Sequence, residues 1–370
     1  MTWFKQKLTL LFILLVTITA WTQQQPAAQK PQYQPPRLTD PNAWTMVVVP
    51  DTQMYTYFRW NHGILTMMTS WIYENRNTLK IQNVLQVGDI VEKNAVDSYK
   101  DPRPVNSEGM WKAASHSFGV LDGVVPYILV QGNHDLGIHS AENRNTRFND
   151  FFPVERNPSI NHLVECGENS FGKKTLENSA YEFKTPNGWN LLIIALTFAP
   201  TDKNLEWAKE VAQRPQYKDH FGILLTHSYL SSHNGKNARI RGEGYTLNKQ
   251  GGNAGQAIWE KLVFPADNIR LVICGHISAA DNWRGCVGFA KDKNQAGKVV
   301  SQMLFDTQAL GGGFGGNGGD GWLRLLEFQP DKKTIKARTF SPFFASSPTT
   351  RHLAWNTDPI NQFEFNIDQP

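Results

Sequence analysis

Five residues with metal-binding side chains stand just past the ends of short apolar runs. Asp51 follows Trp44–Pro50, Asp89 follows Gln82–Val87 and Asn133 follows Pro126–Val130, while His227 and His276 follow Phe221–Leu225 and Arg270–Cys274. Singly, each has a plainer reading. An Asp after a strand is commonly a cap or turn former, and His227 in Leu-Leu-Thr-His-Ser suits a hydrogen-bonded core histidine. The string Gly132-Asn-His-Asp135 is more specific than any of these. Taken together, carboxylate, amide and imidazole are the donors suited to a hydrolytic pair of divalent metals.

The runs themselves are β-branched and short, and they alternate with segments of helical period, so they predict an α/β layered fold. Strands are expected at 44–50, 82–87, 126–130, 190–196, 221–225 and 270–274, and helices at 64–79, 109–121, 204–212 and 255–262. Trp322–Phe328 and Thr334–Phe340 predict a hairpin across Pro330-Asp331. In open α/β sheets the C-terminal strand edge is where ligands bind, and every one of the five residues falls on that edge.

The ordered blocks Asp51-Thr-Gln53, Gly88-Asp89, Gly132-Asn-His-Asp135, Thr226-His227 and Gly275-His276 resemble the calcineurin-like metallophosphoesterases over about Trp44 to Phe340. The resemblance implies a double β-sheet sandwich flanked by helices, with two divalent metal ions at the strand ends. It implies that Asp89 bridges both metals, that Asn133, His227 and His276 complete the second, and that Asp51 and Gln53 serve the first. It further implies that His134 is the general acid beside the leaving-group oxygen and that Asp135 orients its imidazole.

Two blocks depart from the family's pattern. The first has Gln53 where the family usually has His, and the last runs Gly275-His276-Ile-Ser278 where the family usually has a second His. Both missing imidazoles belong to the first metal. What remains there is mostly oxygen, with Ser278 and Asp281 as further candidates, so the first site should take Mg²⁺, Mn²⁺ or Ca²⁺ and hold it loosely. The second site suits Zn²⁺, Mn²⁺ or Fe²⁺. The opening Asp-Thr-Gln and the ending Gly321–Phe328 are similar to those of exported bacterial relatives.

Other residues carry weaker signals. Arg59, in the aromatic segment Met54–Trp60, and His233, in the loop after His227, are expected to contact substrate. Gly311–Gly319 lacks the Gly-Lys-Ser/Thr ending of a P-loop and reads as a mobile loop beside the cleft. Asp306-Thr-Gln308 repeats the letters of the first block and is read as coincidence.

The first twenty residues carry an expectation of where the chain works. Lys5 and Lys7, the apolar run Leu8–Ile18 and the small residues Thr19-Ala20 read as a signal peptide over residues 1–20, too short an apolar run to span a bilayer. Residues 21–40 read as a Pro/Gln-rich solvated linker, and 41–370 as one metallophosphoesterase domain. A secreted or periplasmic protein is therefore expected, with no transmembrane segment after signal removal. Three cysteines are too few for a disulfide scaffold; Cys166 and Cys286 are expected in Gly-rich loops where they can pair, and Cys274 as a buried thiol. The net charge of +4 is too weak a field for a polyanion binder, which excludes long nucleic acid as the main substrate. The expected activity is hydrolysis of a small or glycan-linked phosphate mono- or diester. The alternatives are a catalytically silent, metal-stabilised binding protein that lost its first metal, and a metal-free structural protein of the envelope.

Overall fold

The computed structural model of the chain describes residues 32–156 and 162–368. The expected signal peptide, and the linker up to residue 31, lie outside the described residues. The strands of the first half are β1 (Trp44–Val49), β2 (Ile81–Gln86), β3 (Tyr127–Leu129), β4 (Leu163–Glu168), β5 (Lys174–Lys184) and β6 (Asn190–Leu196). Those of the second half are β7 (Phe221–Thr226), β8 (Ile269–Cys274), β9 (Val287–Lys293), β10 (Val299–Phe305), β11 (Leu323–Phe328), β12 (Thr334–Phe340), β13 (Trp355–Asn356) and β14 (Phe363–Asn366). They form two sheets. One has the order β13-β12-β11-β1-β2-β3 with β14 also on β12, and the other the order β4-β5-β6-β7-β8-β10-β9.

Successive side chains on a strand point to opposite faces, and here both faces are buried. Trp44, Met46 and Val48 of β1 enter the core between the sheets, where Leu191, Ile193 and Ala195 of β6 and Leu271 and Ile273 of β8 meet them. Val47 and Val49 face the other way, onto helices α1 (Gln53–Tyr57), α2 (His62–Asn75) and α3 (Ser107–Gly119) and the turn α4 (Phe148–Phe151). On the second sheet Leu192, Ile194 and Leu196 turn outward onto α5 (Asp202–Ala212) and the segment 255–263. The result is helix, sheet, sheet, helix: the double sandwich that the motif blocks imply. Burial on both faces is also why these strands read as continuous apolar runs.

Helix ends follow local chemistry. Thr201 caps α5 in a reciprocal pair, its hydroxyl accepting from Asn204 N while Asn204 Oδ1 accepts from Thr201 N. The helix expected over 64–79 stops at Asn75, and the one over 255–262 becomes a π-turn from Trp259 to Val263. The hairpin of β11 and β12 pairs as expected, from Leu323 with Phe340 to Phe328 with Ile335.

Three expectations are corrected. Residues 33–40 are not a solvated linker. Tyr33 and Leu38 pack on the helical core, Trp355 Nε1 and Arg338 Nη1 donate to the Gln34 and Arg37 carbonyls, and Thr39 N donates to Glu327. Two apolar anchors and borrowed donors suffice to seat an extended chain with no ladder of its own. Cys166 and Cys286 do not pair, because Cys166 lies on β4 in the helical core and Cys286 lies in the core between the sheets. Nor are they in Gly-rich loops. All three thiols are free and buried, and burial pushes that of Cys274 up to about 12. Finally, β4, β5, β9 and β10 appear where no strand was expected. In β10 the reason is visible: Ser301 and Gln302 interrupt its apolar run, yet both are buried.

Truncating Ile273, fully buried between the sheets, should cost about 2–5 kcal/mol in urea unfolding. The same test on the exposed Phe171, Phe171→Ala, should stay within about 0.5 kcal/mol.

Candidate metal centre

Parallel pairing decides where the polar residues meet. β1, β2 and β3 run parallel in one sheet, and β6, β7, β8 and β10 run parallel in the other. Their C-terminal ends therefore release Asp51, Asp89, Asn133, His227 and His276 into one region, and β10 adds Asp306. The junctions are tight. A Cβ at Gly132 would overlap the Asp89 carboxylate, and one at Gly275 would overlap that of Asp51, so only glycine lets these turns close. Asp89 (φ 50°) and His276 (φ 77°) hold left-handed backbone, a strain typical of functional sites.

Four acceptor atoms converge here. His227 Nε2 lies 3.0 Å from Asn133 Oδ1, 3.1 Å from His276 Nδ1 and 3.4 Å from Asp89 Oδ1. Their surroundings fix which atoms face inward. A carbonyl can only accept, so His227 spends its Nδ1–H on Val87 O at 2.8 Å and presents a lone pair on Nε2. Asn133 donates its Nδ2 to Ser140 Oγ at 2.8 Å, which turns its carbonyl inward. Glu243 accepts from His276 Nε2 at 2.6 Å, which turns Nδ1 inward. Burial alone would lower the His276 imidazole, but the hydrogen bond and charge of Glu243 outweigh it and raise its pKa. Two imidazoles, an amide oxygen and a carboxylate so arranged fit one divalent cation, which competes with that proton for the same lone pairs. Glu243 was not singled out from the sequence, since nothing marks it in the loop after β7.

Beside this set lies a second, made of oxygen. Asp51 is fully buried and accepts from His276 N at 3.1 Å. Gln308 Nε2 lies 3.4 Å from Asp51 Oδ2 and 3.0 Å from Asp306 Oδ2. Burial and the neighbouring carboxylates, Asp306 foremost, raise the pKa of Asp51, and that of Asp306 is pushed up to about 6 by burial. Gln53 Oε1 is buried with no hydrogen-bond partner. Asp306-Thr-Gln308 is thus no coincidence of letters. It ends a parallel strand exactly as the expected ligands do, and it was missed because β10 was.

The cleft above these groups, about 290 Å³, is lined by Gln53, Met54, Glu92, His134, His276, Ser278, Gln308, Ala309 and Phe314. Phe314 places the Gly-rich loop at its rim. His134 N donates to Asp89 Oδ1 at 2.9 Å, which seats the residue against the centre. Its Nδ1 lies 2.7 Å from Glu92 O and 3.4 Å from Glu92 Oε2. Asp135 does not orient this ring. Its carboxylate accepts from Ile90 N, Val91 N and Gly132 N, and so ties the loop after β2 to the loop after β3. Three charge-assisted bonds are a firm brace, and Glu92 takes the place beside the ring. Arg59 is exposed on its turn, and His233 bonds Asn237. Neither lines the cleft. Asp281 is also exposed and accepts from Gly312 N, whereas Ser278 lines the cleft and donates to the Asp306 carbonyl.

Removing the buttress should loosen the ion it serves: Glu243→Ala is expected to weaken Zn²⁺ binding about 10- to 100-fold in a chelator competition titration.

The calcineurin-like phosphoesterase family matches residues 47–279. The chain is similar to the uncharacterized protein YvnB of Bacillus subtilis (strain 168), at 29% identity over 301 residues. The match takes in 81% of this chain and 20% of that protein, so the chain spans about a fifth of the relative's length. Among solved structures it is similar to GAP50, the anchor in the inner membrane complex of Plasmodium, at 12% identity and a TM-score of 0.44, covering 88% of this chain and 90% of that one. No helix among the described residues is long and apolar enough to cross a membrane. With its two sheets, its carboxylates and imidazoles at the strand ends and a family match over most of its length, the chain belongs to the calcineurin-like phosphoesterases.

Proposed function

We propose that this protein is an exported metallophosphoesterase that hydrolyses a small or glycan-linked phosphate mono- or diester, with His134 as the leaving-group acid. One observation carries the reading. Asn133, His227 and His276 turn their acceptor atoms toward one point beside Asp89, and His134, which lines the cleft, donates its backbone N–H to the same carboxylate. Divalent ions held there would offset phosphoryl charge and acidify an attacking water.

The chain's own residues set up the rest. Asp89, Asn133, His227 and His276 would hold one ion, and Asp51 and Gln53 belong to the other. Asp89 faces both groups. Glu92 accepts from His134 Nδ1 through its carbonyl, which orients the ring so that Nε2 can give a proton to the departing oxygen. The open cleft suits a compact ester, and the weak net charge disfavours long nucleic acid. Export is supported by the leader-like first 20 residues. The three buried thiols fit it too, since an oxidising compartment meets none of them exposed.

The alternative, a metal-stabilised binder without catalysis, draws on the loss of imidazole at Gln53 and Ser278. The two readings part on turnover. His134→Ala, assayed on nitrophenyl phosphate mono- and diesters with Mn²⁺, should lose about 10²- to 10⁴-fold in kcat while keeping its metal. If wild type hydrolyses nothing across Mn²⁺, Mg²⁺ and Zn²⁺ although metal is bound, the binding reading takes over.

A further inference from the structure

We infer that Asp306 is a ligand of the first metal, and that with Asp51, Gln53 and Asp89 it makes an all-oxygen site selective for a hard divalent cation. This rests on the reading of the centre as a metal site and assigns a residue and an ion class within it.

The residues that were expected to make up for the missing histidines do not do so. Asp281 is exposed and serves the Gly-rich loop through Gly312 N. Ser278 spends its hydroxyl on the Asp306 carbonyl, beside Cys286 Sγ. Asp306 is different. It leaves the end of β10, which is parallel to β8, so it emerges beside the turn that carries His276. Its side chain is fully buried, and a single amide, Gln308 Nε2, reaches both it and Asp51.

That arrangement is unfinished as protein chemistry. Asp51, Asp89 and Asp306 are all buried, and among the described residues none of them pairs with a Lys or Arg. Burying three carboxylates with only histidine, and no Lys or Arg, beside them is costly in a low-dielectric interior. The Gln308 amide and the backbone N–H groups of His276, His134 and Gln308 donate to them, but neutral donors do not cancel three charges. A cation can, and one unsatisfied buried atom supports it independently. Gln53 Oε1 is buried, has no hydrogen-bond partner, and belongs to a side chain that lines the same cleft as Gln308. A bare carbonyl oxygen together with carboxylates is the donor set of Mg²⁺, Mn²⁺ or Ca²⁺ rather than of Zn²⁺, which prefers nitrogen and sulfur. Gln308 acts as a positioning residue, holding the two carboxylates at a fixed separation.

The centre is therefore asymmetric: one ion held by imidazoles, an amide and Asp89, the other by oxygen alone. Calorimetric titration of the metal-stripped full chain with Mn²⁺, with free Mn²⁺ followed by electron paramagnetic resonance, tests this. Wild type should bind two ions, and Asp306→Asn should keep one and weaken the other at least about tenfold. Added Zn²⁺ should displace one Mn²⁺ from wild type and leave the second in place. Asp306→Asn binding two ions with unchanged affinity would overturn the assignment while leaving the phosphoesterase reading intact. Zn²⁺ displacing both ions equally would overturn it as well, and this measurement decides alone if the variant fails to fold. Wild type binding no ion at all would overturn both the assignment and the reading beneath it.

Discussion

Buried like charge is the constraint on which the structure turns. Asp51, Asp89, Asp135 and Asp306 are withdrawn from water within one small region, and each must be compensated where it stands. Asp135 is satisfied entirely by backbone, through three N–H groups of two loops. Asp51 receives the His276 N–H, and Asp89 receives that of His134. These bonds are also what hold the loops in register, so the same interactions that relieve the charge build the site. What backbone donors leave over faces the histidines and the cleft.

The two sheets exist in a form that makes this meeting possible. Parallel strands in both sheets end at one edge, and alternating burial locks each strand's register to two cores at once. A slip of one residue would exchange the faces of β1 or β6, and would move Asp51 or the turn before α5 out of place. Glycines then set the final approach, because only a residue without a side chain leaves room for a neighbouring carboxylate at Gly132 and Gly275. Rigidity is thus inherited from packing and delivered to the centre through short turns.

Much of this was legible in the chain. The strands that carry Asp51, Asp89, Asn133, His227 and His276 are apolar on both faces, so they announce themselves, and a residue just past each end could be named. β10 hid because Ser301 and Gln302 break its run. The structure explains their tolerance: Gln302 donates to Asp292 and accepts from Arg239, a polar cluster invisible to pattern alone. Glu243 and Glu92 hid for a different reason. Their partners, His276 and His134, lie tens of residues away, and no spacing rule links a loop carboxylate to a ring across the fold. Asp135 was seen but given the wrong partner, since adjacency in sequence to His134 says nothing of which way a side chain turns.

The sequence by itself determined the family, the α/β layering and the chemical character of the centre, because those depend on residue type, period and order. Tertiary structure alone decided which acceptor atoms face one another, that Glu92 rather than Asp135 stands beside His134, and that Asp306 joins Asp51. It also decided that Arg59 and His233 do not line the cleft and that Cys166 and Cys286 lie in different cores. Those outcomes are matters of direction and distance between strands far apart in the chain. They are set by parallel register and by hydrogen bonds that turn each side chain, neither of which a linear pattern records.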